Sequence, residues 1–163
     1  MGTRSLTVFK EFDGTEIVVM YRQMDGYPRG HGADLKEFLL YPKPMKLVNG
    51  IPGGSWERMA NGMPCLAAQV ISHFKLGVDI FNMMRAGVGG PKVLEGSGIY
   101  LHPAGTRDCG ENYIYTLWPS VDLWSGDQFP RKNDSTEILI KVEYTYEHDI
   151  IYEGPVTGFE IPD

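Results

Sequence analysis

Apolar and polar positions alternate twice at the start of the chain. From Ser5 to Phe12 the alternation puts Leu6 and Val8 on one side and Thr7 and Phe9 on the other, and from Thr15 to Arg22 an Ile-, Val- and Tyr-rich run returns. Asp13-Gly14 lies between them, a dipeptide that reaches positive φ and favours a tight hairpin turn. The period then lengthens. Leu35, Phe38 and Leu39 form an i, i+3, i+4 stripe, which predicts a helix opening at Gly30 to Gly32 and running through Leu40. Asp34 sits in its first turn, where the helix dipole favours an acid, and Pro42 stops it. A second helix is predicted over Pro64 to Leu76, with Asn61 in the cap region and Gly77 as the stop. Leu66, Val70, His73 and Phe74 line one face, and Ala67 and Ala68 allow close packing. Val78 to Met84 fits either a short helix or a strand.

The period of two comes back in the second half. Gly98 to His102 and Glu111 to Trp118 read as strands, and Glu137 to Glu147 as a long one. In the last, Ile138, Ile140, Val142, Tyr144 and Tyr146 alternate with Leu139, Lys141, Glu143 and Thr145, which predicts one buried and one wet face. Ile150 to Tyr152 pairs back across His148-Asp149. Pro42 to Gly54, Ala86 to Gly98 and Trp124 to Ser135 are left as connections. The order β-β-α-α-β-β-β predicts an α+β fold, a single globular domain over 1–163 with two main helices packed on one face of an antiparallel sheet.

Composition narrows the class. The 163 residues suffice for a core without staples, and 42% hydrophobic against 22% charged excludes disorder over most of the length. A net charge of −6 with no basic cluster argues against binding a nucleic acid duplex. No apolar run reaches the length of a membrane span, and Lys10 and Glu11 interrupt any signal-peptide core. Cys65 and Cys109 are expected as reduced thiols in a cytoplasm.

Candidate chemistry concentrates at 21–32, Tyr-Arg-Gln-Met-Asp-Gly-Tyr-Pro-Arg-Gly-His-Gly. A glycine-rich strand-to-helix connection can present N–H groups to an anion; Arg22 and Arg29 would clamp it and Tyr21 or Tyr27 would stack on a base. The alternative is structural: Asp25-Gly26 makes a turn, Tyr27 packs, and Asp25 pairs with Arg22 or Arg29. Walker and Rossmann spacings are absent. A second cluster, Thr106 to Glu111, would bring Arg107, Asp108 and Glu111 to the same pocket, or form only a turn with a local ion pair. Trp56-Glu57-Arg58 would be a lid, with Trp56 closing on a ligand.

The histidines, His31, His73, His102 and His148, and the two cysteines show no zinc spacing, so neither a metal nor a cofactor is expected, and His73 is read as a core histidine. A thiol site would combine Cys109 or Cys65 with His31, His73 or His102 and an acid such as Asp25; processing to expose Thr3 would give an N-terminal nucleophile. Tyr113, Tyr115, Trp118, Trp124, Tyr144 and Tyr146 would pack the sheet or line a pocket or interface.

The 21–32 motif, Asn-Gly-Met-Pro-Cys-Leu-Ala-Ala-Gln-Val at 61–70 and Gly-Thr-Arg-Asp-Cys-Gly-Glu-Asn-Tyr-Ile-Tyr-Thr at 105–116 resemble a family of small uncharacterised proteins of bacteria, phages and prophages, over about residues 5 to 147. The resemblance implies a context, accessory functions that disarm host defences, and transfers no residue roles. Together these readings predict a non-enzymatic binding domain. Arg22, Asp25, Tyr27, Arg29, His31, Trp56, Arg107 and Glu111 would hold a small anionic, nucleotide-like ligand. The alternatives are a small hydrolase using a cysteine or Thr3, and an interaction module that binds a host protein or forms a homo-oligomer.

Overall fold

The structure is a computed structural model that describes residues 2–50, 58–85, 98–124 and 136–162, with 76–85 as backbone only. The opening alternation forms the expected hairpin. β1 (Ser5–Lys10) pairs antiparallel with β2 (Glu16–Arg22), with a bulge between Phe9 and Lys10. The turn is held by the Asp13 carboxylate, which accepts the Thr15 N–H at 2.9 Å. Beyond β2, one π-helical turn (Pro28–Gly32) runs directly into α1 (Ala33–Leu40).

The Pro42-to-Gly54 stretch is not wholly loop. β3 (Lys46–Val48) lies within it and pairs in parallel with β4 (Met59–Asn61), making a separate two-stranded sheet. Three-residue strands are too short to show a period, so the sequence gives no sign of them. α2 (Gly62–Arg85) follows without a break. The expected stop at Gly77 is overridden, and Val78 to Met84 resolves as helix. Asn61 closes β4, and its side-chain oxygen accepts the Gly50 N–H at 2.8 Å.

The main sheet adds β5 (Ile99–His102), β6 (Tyr113–Pro119), β7 (Ile138–Tyr144) and β8 (Asp149–Pro155), in the order β5-β2-β1-β6-β7-β8. The α+β architecture and the mostly antiparallel sheet are as expected, with one difference at the centre. β1 and β6 run parallel, Ser5 opposite Tyr113 and Phe9 opposite Leu117. Parallel neighbours need a crossover rather than a hairpin; here everything between β2 and β6 supplies it.

One sheet face carries the core. Phe9, Met20, Tyr115, Leu117, Ile140 and Val142 meet Leu35 and Leu39 of α1 and Met63, Leu66, Ala67, Val70 and Phe74 of α2, closed by Val156 and Phe159. The α2 residues repeat at helical spacing, so a single stripe is buried. Leu6, Val8 and Val19 form a smaller buried cluster on the opposite face, with Tyr21 and Ile114 against it. The segment 103–112, which links β5 to β6, is tied at both ends of the β1–β2 hairpin: Gly105 N–H bonds Glu16, and Asn112 N–H bonds the Arg4 carbonyl. The connections expected at 86–97 and 125–135 lie outside the described residues.

Candidate functional site

The 21–32 motif is a self-satisfied structure built around His31. This histidine is fully buried. Its Nδ1 faces the Arg22 guanidinium at 3.1 Å and its Nε2 faces the Thr7 hydroxyl at 2.6 Å. Arginine can only donate. Nδ1 must therefore accept, the proton sits on Nε2, and Nε2–H donates to Thr7 Oγ1. Burial, reinforced by the Arg22 charge, holds His31 well below the usual histidine range, so the ring is neutral. Tyr115 meets the ring edge-on at 4.9 Å, and Phe74 packs at the same distance.

Arg22 is fastened on three sides. It donates to Asp34 Oδ2 at 2.7 Å, to His31, and through Nε to the Met24 carbonyl at 2.8 Å, with its guanidinium over the Phe74 ring. The loop backbone is equally committed. His31 N–H bonds the Asp25 carbonyl, Gly26 N–H bonds the Thr3 carbonyl, and the buried Tyr115 hydroxyl donates to the Gly26 carbonyl at 2.9 Å. A Cβ on Gly26 would lie 2.6 Å from the Arg4 carbonyl carbon, and one on Gly30 would overlap the Asp25 carbonyl oxygen. Asp25 itself takes φ +57° and is exposed, as are Tyr27 and Arg29. Arg29 donates to the Pro162 carbonyl at 2.9 Å.

Arg107 belongs elsewhere, and Glu111 is committed to its own loop. Arg107 makes a two-pronged pair with Glu16, at 2.5 and 3.3 Å, and this pairing holds the Glu16 carboxyl below the usual range. Glu16 and Arg22 are the two ends of β2, about 20 Å apart along the strand. Glu111 is buried and caps its own loop, accepting the Asp108 and Cys109 N–H groups at 3.1 and 2.7 Å. Arg107 is thus held away from the 21–32 loop, while Glu111 sits beside Asn112 at the Arg4 end with both carboxylate oxygens engaged in its own loop. Trp56 lies outside the described residues.

The nucleophile candidates are likewise placed for structure. Burial pushes the Cys109 thiol up, and the Glu111 and Asp108 carboxylates push it further, so it is protonated. Cys65 takes a contact from Gln69 Nε2 at 3.5 Å. Among the described residues no cysteine bonds a histidine, and no three His, Cys, Asp or Glu side chains gather as a metal site would need. His73 is not the expected core histidine. It is exposed, stacked on Phe38 at 4.5 Å, and His31 takes the interior position. The motif position of His31 masked this, because its burial comes from Thr7, Phe74 and Tyr115, all remote in sequence.

Among the described residues three clefts open along α1, and none of the seven described candidates lines them. Two are broad and open to solvent. One of these holds Cys65, Gln69, Ser72 and His73; the other holds Asp34, Glu37, Tyr41 and Phe74. The third, of about 440 Å³, is better enclosed and lies between the C-terminal end of α1 and the β7–β8 strand ends. Its floor is Leu39, Met45, Ile138 and Val156, all buried. Among the described residues, Lys43, Lys46 and Arg58 stand around it against one carboxylate, Glu137, together with Thr136 and Thr157.

Arg58 shapes this cleft. Its guanidinium donates to the Phe38 and Tyr41 carbonyls and to Lys43 O at 2.7 Å, and it lies over the Phe38 ring at 5.5 Å. It thereby satisfies carbonyls left open at the end of α1, while neutral carbonyls leave its charge uncancelled. The Thr136 hydroxyl oxygen, in the opposite wall, is buried and has no hydrogen-bond partner among the described residues. Nothing in the motifs pointed here; Lys43 and Lys46 in a proline-rich connection were the available signal.

No family model, curated protein or solved structure matches the chain. Among the described residues, no helix is long and apolar enough to cross a membrane.

Proposed function

We propose that this chain is a non-catalytic binding domain that holds a small anionic ligand in the cleft between α1 and the β7–β8 strand ends. The observation that carries the reading is local charge reversal. In a chain of net charge −6, the described residues around this cleft place Lys43, Lys46 and Arg58 against the single carboxylate Glu137 over an apolar floor. Such a cleft focuses a positive potential on an anion, and its volume lies within the roughly 300–1,000 Å³ of small-molecule sites.

The motif geometry argues against catalysis. A hydroxyl and an imidazole 2.6 Å apart, Thr7 and His31, have the spacing of a nucleophile and its base. Arg22 on the far nitrogen makes Nε2 a donor, so this ring cannot take the hydroxyl proton. In the phage and prophage context that the resemblance implies, the domain would sequester a host small molecule.

The test is to purify the full chain natively, denature it and identify what is released by mass spectrometry. An acidic molecule near one per chain is expected; an empty protein that also binds no anion in solution would refute the reading. A second reading has its own observation. Tyr146, Ile150 and Ile151 are exposed on β8 and its turn, at a sheet edge. A protein partner or second copy would cover them, and sedimentation with and without a Tyr146→Lys change would show the second copy.

A further inference from the structure

The lining of the cleft says more than its charge. We infer that its ligand is an amphipathic anion, an acidic head on an aliphatic body, rather than a nucleotide; this rests on the binding reading above. Among the described residues that line it, none is aromatic. Proteins hold nucleobases largely by stacking, and the described lining offers no ring to stack on. It offers instead branched and unbranched aliphatic surface from Leu39, Leu40, Met45, Ile138 and Val156. Met45 is the adaptable member, since an unbranched thioether refits around differing chain shapes.

The polar groups suit a head with several acceptors. Lys43, Lys46 and Arg58 approach from the α1 side and supply charge. Thr157 approaches from the strand side and is exposed, so its hydroxyl is open to an acidic head.

Calorimetric titration of the full chain with octanoate, acetate, octanol, octyl phosphate, adenosine monophosphate and inorganic phosphate tests this. Octanoate should bind about tenfold or more tighter than acetate, because the added methylenes reach the floor, and octanol should bind more weakly than octanoate. Octyl phosphate separates a preference for phosphate heads from one for carboxylates. Thr157→Val keeps the side-chain shape and should weaken octanoate by roughly tenfold without moving Tm. Lys43→Glu should weaken it further, and Arg107→Ala, remote from the cleft, should leave it unchanged. Binding of adenosine monophosphate or phosphate with no binding of octanoate or octyl phosphate would overturn the aliphatic ligand and leave the anion-binding domain standing. Equal affinity for octanol and octanoate would overturn the role of charge. Silence from every probe, with nothing released from native protein, would overturn both.

Discussion

Arg22 and Arg107 stand near opposite ends of β2 and illustrate how far surroundings outweigh residue type. Arg22 is nearly buried and is the common partner of Asp34, His31 and the Met24 carbonyl. Arg107 pairs with Glu16 in a partly exposed setting. Arg22→Ala leaves the buried His31 Nδ1 without its donor and should cost about 1–3 kcal/mol by urea denaturation, whereas Arg107→Ala should cost about 1 kcal/mol or less. His31 adds a pH signature. Its folded pKa lies well below its unfolded value near 6.5, so the unfolded chain takes up the proton first. Its contribution is therefore complete above about pH 6.5 and erodes as pH falls, by about 1.4 kcal/mol per unit. Stability measured from pH 7.5 to 5.5 should show this slope in wild type and a much smaller one in His31→Gln; equal slopes would remove His31 as the cause. The sequence singled out Arg22 and His31 by density of polar residues. It could not show that their partners are Thr7, Asp34, Phe74 and Tyr115, because those contacts exist only after the sheet and helices close.

Elements were legible where a period repeats. The alternation of β1, β2 and β7 and the stripes of α1 and α2 are each long enough to reveal a buried face. The errors fall where a local signal meets a tertiary one. Gly77 reads as a stop, yet α2 continues to Arg85, since a single glycine costs only about 1 kcal/mol in a helix interior. β3 and β4 are invisible because their pairing joins residues on either side of a long connection. The turn into α1 reads as an anion cradle because it is rich in glycine. Two of those glycines are required instead by close backbone approach, Gly26 against Arg4 and Gly30 against Asp25. Gly30→Ala should accordingly destabilise the fold by about 1–3 kcal/mol, seen as a lower Tm with no specific effect on ligand affinity at temperatures where the variant is folded.

At the scale of the whole molecule, charge is distributed against its average. The chain is acidic, yet Lys43, Lys46 and Arg58 converge on one cleft with residues 136–157 as the opposite wall. No local pattern joins segments so distant in sequence. If charge attracts the ligand, affinity should fall as salt rises from low ionic strength to about 0.15 M, where the screening length is about 8 Å. The most direct test compares ligand occupancy by native mass spectrometry in three proteins from one host: wild type, Lys43→Glu with Lys46→Glu, and Arg29→Ala with Arg107→Ala. The account predicts that the lysine pair loses the bound molecule while the arginine pair retains it. Retention in the lysine variant and loss in the arginine variant would return the site to the motif loops and contradict the account.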